Sequence, residues 1–170
     1  MQPEIVTLGA RPYAFIAHTV PLAHVGAAAE PGFATVAAFL DGRKTIATGA
    51  PFVRYRRIDM AGTLDIEAGI TVAQVGTGHA EVRFHILPAG RYGRLCWTGP
   101  YDELLAANSA LIAWGKENDI AWAMTPTDRG DIFDCRLESF LTGPAEEDNP
   151  EKWRTEIAIL IADDTAADSE

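Results

Sequence analysis

A carboxylate inside an apolar, strand-like run is the first feature of this sequence that could do chemistry. Glu156 stands in Thr155-Glu156-Ile157-Ala158-Ile159-Leu160-Ile161, and Glu67 stands in a matching run, Asp65-Ile66-Glu67-Ala68-Gly69-Ile70. Alternate side chains of a strand face opposite sides, so each glutamate either lies on a wetted face or takes its charge into a low-dielectric interior. The alternation alone favours the wetted face. Aromatic residues recur at strand positions: Tyr13, Phe52, Tyr55, Tyr92, Trp97, Phe133, Phe140 and Trp153. Each one alone is more often core than pocket wall. A carboxylate sharing a groove with several of these rings would attract a flat cation by Coulomb attraction and cation–π contact, each on the order of 1 kcal/mol or more once desolvated.

Other chemistries find no support in the sequence. The histidines are His18, His24, His79 and His85. His79 and His85 share a strand face with Glu81 but stand about 20 Å apart at about 3.3 Å per residue, too far for a common ion. Cys96 and Cys135 are distant in sequence and form no C-x-x-C pair, so two free thiols are expected. No Gly-rich phosphate loop and no G-x-S-x-G elbow occurs. Neither a metal nor a cofactor is expected.

The elements that must position these residues come as a repeat. Ala10-Arg11-Pro12-Tyr13 followed by Thr19-Val20-Pro21 matches Ala89-Gly90-Arg91-Tyr92 followed by Thr98-Gly99-Pro100, at a constant offset of 79 residues. In each copy Tyr opens an apolar run and Pro closes it where a helix should start. In the first helix Phe33, Val36, Ala37 and Leu40 form an i, i+3, i+4, i+7 stripe, ended by Asp41-Gly42. In the second, Asp102 and Glu103 suit the first turn, Leu104, Leu111 and Ile112 face inward, and Gly115 weakens the end. Two strands follow each helix: residues 52–58 and 64–72, then 132–141 and 153–162. Glu67 and Glu156 correspond, with the offset enlarged by ten residues in the acidic loop 142–152. The run 80–87 alternates Val82, Phe84 and Ile86 with polar residues and introduces the second half as residues 4–8 introduce the first.

Helices outnumbered by antiparallel strands make an α+β fold: duplicated β-α-β-β units, one antiparallel sheet, two main helices, and a groove at the pseudo-twofold junction. The expected domain is 1–162, with halves at about 4–75 and 79–162, and 163–170 is read as a frayed acidic tail.

Composition sets the partners. The 170 residues are 48% hydrophobic and 22% charged, as in globular proteins, and no stretch reaches the roughly 20 apolar residues of a membrane span. The net charge of -10 opposes phosphate backbones, and the basic cluster Arg54, Arg56 and Arg57 is short, so this chain by itself is expected to bind no nucleic acid. The N-terminal residues lack the pattern of a signal peptide, and a cytoplasmic location is the expectation.

These residues resemble the GyrI-like family, which includes effector-binding domains fused to AraC-type and MerR-type regulators. The resemblance runs from about Glu4 to Ala162. It is most specific in Leu87-Pro88-Ala89-Gly90-Arg91-Tyr92, in Trp97-Thr98-Gly99-Pro100-Tyr101, and in the helix through Leu111-Ile112-Ala113-Trp114 to Glu117-Asn118. It implies binding of bulky, often aromatic and cationic molecules, with a carboxylate at Glu156 inside an aromatic-lined groove. Tyr92, Trp97 and Trp153 are then the leading lining residues, with Tyr13, Phe52, Tyr55 and Phe140 beside them. The sequence departs from the family at Phe140, where Tyr is usual, and at Asp119, where a helix-ending Gly is usual.

Three functions stay open on this reading. The first is a binder that sequesters or senses such a molecule. Some stand-alone members resemble hydrolases that open strained rings, such as cyclopropanes, in cytotoxic natural products, and there Glu156 would direct or deprotonate a water. The third is a protein-interaction module of the gyrase-inhibiting kind, with a protein partner for its acidic surface.

Overall fold

The structure is a computed structural model and describes residues 2–163. All of the expected tail except Asp163 lies outside those residues. Strands β1 (Glu4–Leu8) and β2 (Arg11–Pro21) lead through a 3-10 turn at Leu22–His24 into helix α1 (Val25–Gly42), followed by β3 (Ala47–Ile58) and β4 (Thr63–Val72). The second half contains β5 (Arg83–Leu87), β6 (Gly90–Thr98), α2 (Leu104–Glu117), a hairpin of β7 (Met124–Thr127) and β8 (Gly130–Phe133), then β9 (Arg136–Thr142) and β10 (Arg154–Leu160).

The strands form one sheet in the order β1-β6-β10-β9-β3-β4-β2-β5, with the hairpin beside β3. That order is symmetric: exchanging the halves swaps β6 with β2, β10 with β4 and β9 with β3. Register confirms the repeat residue by residue. Glu67 lies opposite Ala17 and Arg54, and Glu156 lies opposite Cys96 and Ser139. Ala17 and Cys96 keep the offset of the Tyr13 and Tyr92 pair. Even the β-bulge is duplicated, between Tyr55 and Arg57 in one half and between Arg154 and Thr155 in the other. The two halves join where Phe52 faces Ser139, Val53 faces Glu138 and Arg54 faces Leu137. The operation that exchanges Arg54 with Ser139 and Phe52 with Leu137 therefore passes through the Val53–Glu138 pair.

The opening strands cross over, which the repeat alone did not reveal. β1 pairs with β6 of the second half, and β5 pairs with β2 of the first. Only Gly9 and Ala10 separate β1, at one edge of the sheet, from β2, next to the other edge. The edges must therefore approach each other, and the sheet curls. Its inner face encloses Tyr13, Phe15, Phe52, Leu87, Tyr92, Leu137 and Ala158. The other face carries the helices, α1 over Ala14, Ile16 and Ile70, and α2 over Leu95, Ile157 and Ile159.

Local details depart from the sequence pattern for identifiable reasons. α1 begins at Val25, shortly after the Pro21 that closes β2, and carries Gly26-Ala27-Ala28-Ala29 as helix ahead of Pro31. Proline inside a helix forfeits one backbone bond, a loss that packing of the buried Ala29, Gly32, Val36 and Leu40 offsets. Ala37 is exposed, so the buried stripe is narrower than expected. The expected strand 132–141 is broken into β8 and β9. In β5, Ile86 is exposed and Leu87 fully buried, because alternation sets Leu87 on the inner face with Tyr13 and Tyr92. Gly115 is a seat for Trp122 rather than a weakness: a β-carbon there would overlap Cζ2 of the indole. Asp119 adopts φ 55°, the left-handed conformation that ends α2 and that glycine adopts most easily.

Candidate functional site

On the helix face, a cavity of about 770 Å³ lies between α1 and α2, above the central strands β3 and β9. Its position follows from the duplication. The two helices cover the outer strands of their own halves, and the seam between the halves is left open, as domain junctions commonly are. Strand alternation then decides which side chains reach it. β3 presents Pro51, Val53 and Tyr55, and β9 presents Arg136, Glu138 and Phe140. α1 contributes Val25, Ala29 and Phe33; the start of α2 and the turn before it contribute Tyr101, Leu104 and Asn108; Phe133 closes one end.

Glu138 is the buried carboxylate of this cavity, 7% exposed. The Tyr55 hydroxyl donates to its Oε1 at 2.6 Å, and Asn108 Nδ2 donates to its Oε2 at 2.8 Å. Asn108 also donates to the Leu104 carbonyl at 2.8 Å and accepts from Arg136 Nη2 at 2.9 Å. Burial first, and the neighbouring Glu138 second, push the Tyr55 hydroxyl well above the ordinary tyrosine range, so it stays a proton donor. Burial also pulls the Arg136 guanidinium below its ordinary value, against the attraction of Glu138, Tyr55 and Asp131. Glu30, Asp102, Asp131 and Glu146 stand around the cavity as well, so acids outnumber the one arginine.

The aromatic wall is a chain of ring contacts. Phe33 meets Phe140 at 5.9 Å between centroids, Phe140 meets Tyr101 edge-on at 5.4 Å, and Tyr101 lies against Trp153 at 4.6 Å. Burial, followed by Glu146 and Glu30, raises the Tyr101 hydroxyl as well. Tyr55 and Phe140 are repeat counterparts, flanking the pseudo-twofold.

Of the aromatic residues singled out from sequence, Tyr55, Phe133 and Phe140 line the cavity. Trp153 does not, but backs Tyr101, with its indole N–H donated to the Glu147 carbonyl at 2.8 Å. Trp97 packs in the α2 core and donates to Glu103 Oε2 at 3.2 Å. Tyr13, Phe52 and Tyr92 are buried on the inner face, Tyr13 bonded to Glu67 and Arg54 and Tyr92 to the Pro88 carbonyl. Glu156 is likewise placed away from the cavity. Ile157 and Ile159 of its strand face α2, so Glu156 faces the other way, half-buried and 4.0 Å from Arg94. Alternation along β10 thus separates it from the cavity by the sheet itself.

Glu138, Arg136, Asn108, Tyr101 and Phe33 were missed. The repeat hides Glu138, since its counterpart is Val53. The recoverable signal was Phe140: residues two and four before it in a strand share its face, and these are Glu138 and Arg136.

Among the described residues no group of three or more His, Cys, Asp or Glu is arranged to hold a metal, and no helix is long and apolar enough to cross a membrane. Cys96 and Cys135 are free.

Solved structures share this architecture. The EcmrR C-terminal domain superposes with a TM-score of 0.75 at 19% identity, over 95% of this chain and 97% of that one. In the EcmrR–DNA complex the match has the same TM-score but spans only 57% of the longer EcmrR chain. SAV2435, solved bound to tetraphenylphosphonium, gives 0.64 at 13% identity over 95% and 94% of the two chains. A protein described as a hydrolase from Listeria innocua gives 0.62 at 11% identity over 95% and 92%. At these identities the likeness is one of fold. No curated protein matches the sequence significantly. The model of the GyrI-like small molecule binding domain, in contrast, matches residues 1–162, nearly the whole chain, and this protein belongs to that family.

Proposed function

We propose that this protein binds a bulky, hydrophobic, cationic aromatic molecule in the cavity between α1 and α2, to sequester or sense it. The observation that carries the reading is the buried Glu138 carboxylate among Phe33, Tyr55, Tyr101, Phe133 and Phe140 in a space of about 770 Å³. That volume suits one drug-sized ligand. Ring faces and a desolvated negative charge both favour a flat or globular cation. SAV2435, which shares the fold, holds such a cation, tetraphenylphosphonium. Both Glu138 oxygens are engaged by protein donors, an arrangement that suits a fixed charge better than a base awaiting a water.

Fluorescence titration with a xanthylium dye, and its displacement by tetraphenylphosphonium, tests the proposal. Gly26 lies beside the cavity, and a β-carbon there meets nothing within 4 Å. Gly26→Phe is expected to abolish dye binding while leaving the melting temperature intact. Dye affinity equal to wild type in that variant would place the ligand elsewhere.

A further inference from the structure

Resting on the reading above, we infer that Arg136 selects the ligand: the cavity takes aromatic cations that also carry a carboxylate, which the Arg136 guanidinium receives. The guanidinium carbon lies over the Phe133 ring, 4.7 Å from its centroid. That contact engages the guanidinium through its face and leaves its N–H groups to bond. One edge position is occupied, Nη2 donating to Asn108 Oδ1 at 2.9 Å. Among the described residues no carboxylate lies within ion-pair distance of it, and Arg136 lines the cavity.

The nearest candidate counter-charge is committed elsewhere. Glu138, two residues along the same strand face, spends its oxygens on Tyr55 and Asn108, so it reaches Arg136 through the Asn108 amide rather than by a direct bond. Asn108 is pinned on both sides, its N–H groups on Leu104 and Glu138 and its oxygen on Arg136. The result is a cavity lining with fixed positive and negative groups side by side. An arginine fork matches a carboxylate in two parallel bonds, and such charge-assisted pairs are the strong ones. A pure cation satisfies Glu138 and the surrounding acids but leaves Arg136 facing it. A zwitterion satisfies both.

Two dyes of nearly one shape test this at neutral pH: rhodamine B, a xanthylium cation with a carboxylate, and tetraethylrosamine, the same cation without it. Wild type is expected to prefer rhodamine B, and Arg136→Met to lower the ratio of rhodamine B to tetraethylrosamine affinity roughly tenfold or more. Arg136→Lys, which keeps the charge without the fork, is expected to retain part of the preference, and it serves if the Met variant misfolds. A wild-type preference for tetraethylrosamine, or an affinity ratio that survives Arg136→Met or is untouched by Arg136→Lys, overturns the inference. If tetraethylrosamine still binds and Gly26→Phe blocks it, only the role of Arg136 fails; if neither dye binds wild type, the cavity reading fails with it.

Discussion

Replacing Glu138 by Gln is expected to cost both ligand and stability, and the structure supplies the size of each effect. Glu138 accepts from Tyr55 at Oε1 and from Asn108 at Oε2. Glutamine offers one acceptor oxygen and one NH2 group, so one of these donors must lose its bond. Turning the Asn108 amide over does not help, because its oxygen then leaves Arg136 and its NH2 leaves the Leu104 carbonyl. A buried donor left unpaired costs about 1–3 kcal/mol, and losing the burial of one charge returns part of that. A net destabilisation of about 1–2 kcal/mol lowers the melting temperature by about 2–8 °C in a chain of this size. Loss of the charge weakens a cationic dye by about 1–3 kcal/mol, roughly fivefold to 150-fold. Glu156→Gln is the control. It sits on the inner face, with its nearest cation 4.0 Å away, so its stability change stays within about 0.5 kcal/mol and dye binding is unchanged. Dye titration and thermal melts on the three proteins decide the matter. Lost binding in Glu156→Gln with intact binding in Glu138→Gln would refute the assignment of the site to the helix face.

Three further outcomes follow from the fold. Gly115→Ala is expected to destabilise by about 1–3 kcal/mol and to perturb tryptophan fluorescence, because the new methyl overlaps the Trp122 indole; an unchanged melt would mean the indole moves aside freely. Asp119→Gly is expected to stabilise by about 0.5–1 kcal/mol, relieving the left-handed backbone after α2, and a lower denaturation midpoint would contradict that. Asp65 accepts bonds from Arg57 and Thr19, chiefly the former, which holds its carboxyl below the ordinary aspartate value. Since the folded pKa is the lower one, the Asp65 contribution is fully present above about pH 4 and is lost as pH falls through the folded value. Asp65→Asn should therefore flatten the acid limb of the stability curve below about pH 4, and an unaltered limb would remove Asp65 from it.

The repeat, the strand–helix–strand–strand order and the family resemblance were legible in the sequence because each is written in local signals: a turn Pro, a helix stripe, an alternating strand. Tyr55 and Phe140 were legible as strand aromatics; the register of β3 and β9 made them counterparts flanking the seam. The side of the sheet on which the ligand space opens was not. Glu156 and Glu138 are both strand glutamates, each with aliphatic residues in the same strand, and the sequence around either is compatible with facing the helices or facing away. That choice was made when β9 and β10 took their registers in the sheet, setting Ile157 and Ile159 under α2 and turning Glu156 to the inner face. The crossover of β1 and β5 was equally hidden, since a strand's partner is chosen by long-range hydrogen bonds and not by its own alternation. A one-residue shift of register exchanges the two faces of a strand, so only the assembled sheet decided that the buried charge in the cavity is Glu138.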